Sequence, residues 1–412
     1  MRDLASIISV RTVWALTGKD RVQGCNFNEN NFEAMVGKEI QPNDKVAYIQ
    51  EGSILPVMPC WEFLRKRCFR ESLNGFLIKP QKFGEIKSWG LVVSLNDLPL
   101  DKKVIKNLKI GDDITDLLNI RKYEPDEDRS PTKAEQDSKF IKYLKKFRFF
   151  RWLFKKFGII HTRTSGAFPS DIISKSDETL LHNLRPDFLE NHKEFGIYIS
   201  AKVEGQSFSL IPVVKDKTCK RIYVCSRNQA YVKDGGNDFW KAAKNYNIEK
   251  KIKDYYKETG ILLVIQGEQV GPRIQENIYN FKSVKWYVYT MKDYFTGKQL
   301  SLEEMIKACE FLGLETVPIL MELNCMAEKF KIIKDFENFV ENLKWVKDSN
   351  GNIVSIMECK DKKALPHEGI VVRSKDYDKD NNVGFSFKVK SINYQEMGIK
   401  EIHKKCVEYF GD

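Results

Sequence analysis

A series of charged residues stands at the ends of apolar segments along the chain. Lys202 closes Gly196-Ile197-Tyr198-Ile199-Ser200-Ala201 and is followed by Val203-Glu204-Gly205. Arg227 lies just after Arg221-Ile222-Tyr223-Val224-Cys225, and Glu268 follows Ile261-Leu262-Leu263-Val264-Ile265-Gln266-Gly267. Glu368 heads Gly369-Ile370-Val371-Val372-Arg373, and Lys388 and Lys390 alternate with Phe387 and Val389. An amine is a nucleophile only when neutral, and an unperturbed lysine, with a pKa of ~10.4, is almost wholly protonated at pH 7. Carboxylates offer the oxygen ligands that hard divalent ions take, and two lysines two residues apart on a strand share one face. Together these types suit nucleophilic and electrostatic chemistry. Taken singly, each has a plainer account: K-x-x-G is common, Arg227 suits a surface turn, and Lys388 with Lys390 suits a solvated face.

The segments that deliver these residues read as β-strands, being rich in β-branched and aromatic residues and broken by Gly, Asn, Asp and Pro. Strands alternate through the first hundred or so residues as well, as in Asp44-Lys45-Val46-Ala47-Tyr48-Ile49 and Gly90-Leu91-Val92-Val93-Ser94-Leu95, which points to a small barrel or sandwich. Glu124-Pro125-Asp126-Glu127-Asp128-Arg129-Ser130-Pro131 is a charged, proline-bounded linker. It leads into Phe140 to Phe157, where aromatics and cations interleave at helical spacing. Such a helix either faces a polyanion or membrane surface, or packs its aromatic stripe between domains with its lysines solvated. Leu302 to Cys309 reads as a structural helix.

The net charge of +11 favours a polyanionic partner such as nucleic acid. Nine cysteines without a C-x-x-C pair fit free thiols in a reducing compartment. The start lacks a signal-peptide core and no apolar run is long enough to span a bilayer, so an intracellular, soluble protein is expected.

The ordered set Lys202, Arg227, Glu268, Glu368 and Lys388/Lys390 resembles the covalent nucleotidyltransferase superfamily of polynucleotide ligases and RNA capping enzymes. Gly271-Pro272-Arg273-Ile274-Gln275-Glu276-Asn277 closely resembles the G-P-x-I-Q-x-N run of RNA ligases. Gly18-Lys19-Asp20-Arg21-Val22, Asp44 to Ile49 and Gly84 to Leu91 are similar to the N-terminal OB domain of an ATP-dependent RNA ligase family. The resemblance implies that Lys202 attacks the α-phosphorus of ATP and that Glu204 and Glu368 hold Mg²⁺ or Mn²⁺ mainly through water. It further implies that Glu268 binds ribose, that Arg227 contacts ribose or the RNA end, and that Lys388 and Lys390 stabilise phosphate charge. A divalent metal and the lysines of the last motif are expected to depress the Lys202 pKa. Trp286 and Tyr287 are the candidates for stacking on the purine, and Lys175 for touching the nucleotide. The chain departs from the family pattern at Glu204 in place of aspartate, at Leu180-Leu181-His182-Asn183, and at His367 where arginine is usual.

The expected fold is α+β: an OB-like β-barrel over 1–123, a linker and basic helix over 124–163, an antiparallel-sheet, ATP-grasp-like nucleotidyltransferase domain over 164–398, and a tail over 399–412. The expected activity joins RNA 3′-OH and 5′-phosphate ends, at nicks above all, through a lysyl-AMP intermediate. No membrane is expected, and no protein partner is evident from the sequence. A GTP-dependent RNA guanylyltransferase and a non-catalytic RNA-binding protein are the alternatives.

Overall fold

The computed structural model describes residues 4–84, 86–123, 164–176, 178–233, 237–275, 277–347, 353–357, 364–397 and 399–410. The charged linker and the basic aromatic stretch lie outside the described residues. Two compact units emerge, Met1–Ser130 with Leu180–His192, and Pro131–Thr179 with Lys193–Asp412.

The first unit is built on one curled sheet of seven strands, in the order Gly90–Ser94, Lys45–Gln50, Ala5–Ala15, Val22–Phe27, Glu33–Gly37, Ile86–Ser88 and Gln81–Phe83. The long strand Ala5–Ala15 shifts register between Val10 and Thr12, so its first half pairs with Lys45–Gln50 and its second half with Val22–Phe27. An irregularity of this kind bends a strand and strengthens its twist, which is how one strand serves both walls of a curled sheet. Ile7, Ile49, Trp61 and Phe76 fill the interior. Leu180–His192 also packs in this unit. His182 is buried, with its ring 4.8 Å from Trp89 and 5.9 Å from Phe32, and Asn183 Nδ2 donates to Gln50 Oε1 at 3.0 Å. The segment that departs from the family pattern is thus a structural clasp within the first unit.

The second unit has two principal sheets. In the seven-stranded one, Thr218–Ser226, Gln206–Lys215, Leu263–Val270 and Lys285–Asp293 run antiparallel in that order. Phe208, Leu210, Ile265, Trp286 and Val288 join a buried cluster with residues of the helices Asp238–Asn245, Ile248–Thr259 and Leu302–Leu312. Leu302–Leu312 begins at a capping box, in which Ser301 and Glu304 satisfy each other's backbone N–H, and ends at Gly313 with φ 64°. Glycine meets that left-handed turn without the Cβ penalty other residues carry.

In a five-stranded sheet, Ser386–Lys390, Gly369–Ser374, Ile197–Ala201 and Ile319–Leu323 lie side by side in that order. Every residue of Ile197–Ala201 is buried. One face of this sheet packs on the helix Ile333–Asn342, where Phe336 meets Phe387 edge to face at 5.3 Å. A smaller sheet of Ile353–Met357, Leu343–Lys347 and Leu365–Pro366 completes the unit. Ile399–Phe410, read from sequence as a tail, is a helix whose Ile402 and Cys406 are buried in one cluster with Ala201 and Val203. Among the described residues no disulfide joins the cysteines, and no helix is long and apolar enough to cross a membrane.

Candidate active site

Pairing register brings the separated lysines together. Across Ile197–Ala201, Gly369–Ser374 and Ser386–Lys390, the aligned rows are Tyr198 with Arg373 and Ser386, then Ser200 with Val371 and Lys388. The next row holds Gly369 and Lys390, and Lys202 N–H donates to the Gly369 carbonyl at 2.9 Å. Residues directly opposite in an antiparallel pair point to the same side, so Lys202, Lys388 and Lys390 occupy one face. Phe387, Val389, Ile199 and Ile370 take the other face and are fully buried. Gly369 is required by close approach: a Cβ there would lie 2.2 Å from the Val389 carbonyl oxygen.

Lys202 Nζ forms an ion pair with Glu368 Oε1, and the two side chains retain 27% and 15% exposure. Burial works against charge on Lys202, but Glu368 in contact, with Glu268 and Glu204 nearby, outweighs it and holds the ammonium above its ordinary range. The direction is opposite to the expected depression, which counted a divalent ion among the cations acting on Lys202. Among the protein's own groups the carboxylates dominate the charge felt by Lys202.

Glu268 and Ser207 are cross-strand partners, and Tyr287 is aligned with Glu268 on the next strand, so all three share a face. The strand does not end at Glu268 but continues to Val270. Ser207 Oγ donates to Glu268 Oε2 at 3.4 Å. Burial pushes the Glu268 carboxyl up to about 8; Lys202 and Arg227 oppose that shift, and Glu368 adds to it. Arg227 lies just past the strand end, half-buried and close enough for its charge to be felt by Glu268. Glu204 is anchored through its backbone, whose N–H donates to Tyr279 Oη at 2.8 Å.

Other expectations resolve by burial. Trp286 lies in the core, stacked on Phe208 at 4.4 Å with its indole N–H donating to Gln269 Oε1 at 2.7 Å. It therefore has no free face for a base, whereas Tyr287 is half-buried on the Glu268 side. Lys175 is exposed and donates to Asn228 Oδ1 at 2.7 Å. His367 is fully buried, stacked on Trp345 at 3.9 Å, and burial pushes its imidazole down to about 3, with Lys344 contributing. It is a neutral structural ring rather than a phosphate contact.

The sequence reading missed several groups on the same sheet faces. Arg373 Nη2 donates to Glu178 Oε1 at 2.9 Å, Ser386 Oγ donates to Glu178 Oε2 at 2.5 Å, and the guanidinium lies 5.9 Å from the Tyr289 ring. Tyr289 Oη is 2.8 Å from Ser176 Oγ, and burial, with Glu268 nearby, pushes the phenol up to about 12. The alternation that places Lys388 and Lys390 also places Ser386 and Arg373, and that was the available signal.

Among the described residues, no group of three or more His, Cys, Asp or Glu could hold a metal ion. Glu204, Glu268 and Glu368 nevertheless surround Lys202 closely enough to act on its charge. Hard oxygen donors that converge without forming a cage fit a divalent ion that keeps most of its water.

Residues 196–390 match the family model described as RNA ligase. Solved structures with a similar fold include Naegleria gruberi RNA ligase with PPi, at TM-score 0.70 and 22% identity over 96% of this chain and 98% of that one. A variant of the same ligase with ATP and Mn gives TM-score 0.70 and 22% identity over 98% of each chain. Another, with AMP and Mn, gives TM-score 0.69 and 22% identity over 96% and 99%. No curated protein matches the chain by sequence.

Proposed function

We propose that the chain is an ATP-dependent RNA ligase that joins 3′-OH and 5′-phosphate ends, above all at nicks, through a lysyl-AMP intermediate. The observation that carries this reading is the grouping of one amine, Lys202, in contact with Glu368 and on the same sheet face as Lys388 and Lys390. Solved relatives of the same fold hold ATP or AMP with Mn, which supports the choice of nucleotide and metal class.

In the first step Lys202 Nζ attacks the α-phosphorus, the bond to the β-phosphate oxygen breaks, and pyrophosphate leaves with the electron pair. In the second, an oxygen of the RNA 5′-phosphate attacks the same phosphorus, the N–P bond breaks and the amine is restored. In the third, the 3′-OH attacks the RNA phosphorus and AMP leaves. Lys202 must shed its proton before the first step, because only the neutral amine is nucleophilic. A hydrated divalent ion held by Glu204 and Glu368 would offset the carboxylate charge that keeps Lys202 protonated and would polarise the phosphate. Lys388 and Lys390 oppose the charge developing on the α-phosphate, Glu268 accepts from ribose, and Arg227 meets ribose or the RNA end. An OB-like arrangement of the first unit would add affinity for the backbone.

The test is incubation with α-labelled ATP or GTP and Mn²⁺, followed by denaturing electrophoresis. Label from ATP on the wild-type chain, with none on Lys202→Arg, supports the reading. Label only from GTP points to a guanylyltransferase, and adduct on Lys202→Arg overturns the assigned nucleophile.

A further inference from the structure

Glu204 and Glu368 come from separate parts of the chain, and the same small aromatic group lies behind both. Tyr279 accepts the Glu204 backbone N–H at 2.8 Å through its hydroxyl. The Tyr279 ring meets Trp345 edge to face, with centroids 5.3 Å apart at 82°. Trp345 in turn stacks on His367 at 3.9 Å and 12°, and His367 is the residue immediately before Glu368. Tyr279 and Trp345 are each 3% exposed and His367 is 0% exposed. The far edge of His367 is held as well, with Nε2 2.9 Å from Ser355 Oγ. Ala201 and Val203, which flank Lys202, pack in the same cluster as Tyr279 and Trp345.

Trp345 and Ser355 belong to the paired strands Leu343–Lys347 and Ile353–Met357, which carry none of the residues assigned to the chemistry. Leu365–Pro366 is fastened to the first of these strands, with Trp345 opposite Leu365 and Lys344 opposite Pro366. The chain therefore enters Glu368 from a segment clamped by backbone pairing and by ring stacking together. We propose that the Tyr279–Trp345–His367 stack is a positioning element that sets the spacing of Glu204 and Glu368 about Lys202, with Tyr279 and Trp345 as its positioning residues. The proposal rests on the reading of Glu204 and Glu368 as the carboxylates that hold the divalent ion. Rigid rings are suited to such positioning, since each has few rotatable bonds and a buried stack resists sliding when its neighbours are close-packed.

Tyr279→Phe removes only the hydroxyl that receives the Glu204 N–H. Trp345→Leu removes the middle ring, and Trp345→Phe restores an aromatic in its place. Binding of Mn²⁺ alone to the full chain is followed by electron paramagnetic resonance, without ATP, and thermal unfolding is recorded beside it. Mn²⁺ affinity is expected to fall about 10-fold or more in Tyr279→Phe and Trp345→Leu, as it does when groups that orient metal-holding side chains are lost. Trp345→Phe should recover most of it. In adduct formation the same two variants should need correspondingly more Mn²⁺ for half-maximal rate, with a smaller change in the rate at saturation. Unchanged Mn²⁺ affinity with lowered unfolding temperature would mean that the stack only packs, and the proposal falls. Failure of the wild-type chain to form an adduct would sink the ligase reading instead, and the metal titration separates the two because it uses no nucleotide.

Discussion

At the scale of single residues, the site is defined by charges whose states are set by their neighbours. Three carboxylates outweigh the burial of Lys202 and favour its charged form, so its reactivity depends on what offsets them. Lys388→Ala or Lys390→Ala should slow adduct formation by about 10²-fold, the scale of losing one preorganised donor to developing charge. RNA affinity, measured by filter binding, should change far less; equal losses in both assays would count against a catalytic role. Glu268 offers a test free of catalysis. Its carboxyl is raised to about 8, so between the ordinary carboxylate range and pH 8 the folded protein binds a proton that the unfolded chain has lost. Stability must then fall as pH rises through that window. Glu268→Gln cannot lose a proton, so its unfolding temperature should fall less than that of the wild-type protein between about pH 5 and about pH 8.

At the scale of elements, one strand carries both residues of the proposed site and residues of the core. Phe387 and Val389 face the helix Ile333–Asn342 while Lys388 and Lys390 face the site, so the burial of one set aims the other. Phe387→Ala should lower stability by about 3–5 kcal/mol in urea unfolding, the cost of emptying a buried aromatic site. A loss under about 1 kcal/mol would show that the core does not anchor this strand. His367 acts on the strand beside it. Its imidazole is pushed down to about 3 and stays neutral in the fold, while the unfolded chain protonates near the ordinary histidine value. The stability it contributes is present above that value and is lost as pH falls through the folded one.

At the scale of the whole molecule, the net charge of +11 would favour encounter with a polyanion such as the proposed RNA substrate. Affinity for RNA should fall steeply, by about two orders of magnitude or more, when salt is raised from about 50 mM to about 200 mM, with similar slopes for unrelated sequences. A flat salt response in fluorescence anisotropy would argue against backbone phosphate contact as the main source of affinity. The chain also closes its first unit with a segment from far along the sequence. Leu180–His192 packs with residues before Ser130, and Phe32, Trp89 and Gln50 hold it there. A boundary drawn at the charged linker misses this return, because linker composition reports solvation and says nothing of which core a later residue enters.

The grouping of the charged residues was partly legible in their order, because most of them stand in or beside a hydrophobic run that reads as a strand. Lys388 and Lys390 share a face because alternate residues of a strand do, while the division of the second unit into two principal sheets was not read from the sequence. What only the tertiary structure decided is which groups meet. Trp286 and Tyr287 are neighbours of similar type, yet pleating sends one into the core and the other to the side of Glu268. Tyr279 and Trp345 carry no motif and His367 is only a departure from one, since a stack is made by rings brought together from distant segments. The charge state of Lys202 went the same way: it depends on how near three carboxylates come, and distance in space is the quantity a linear sequence does not contain.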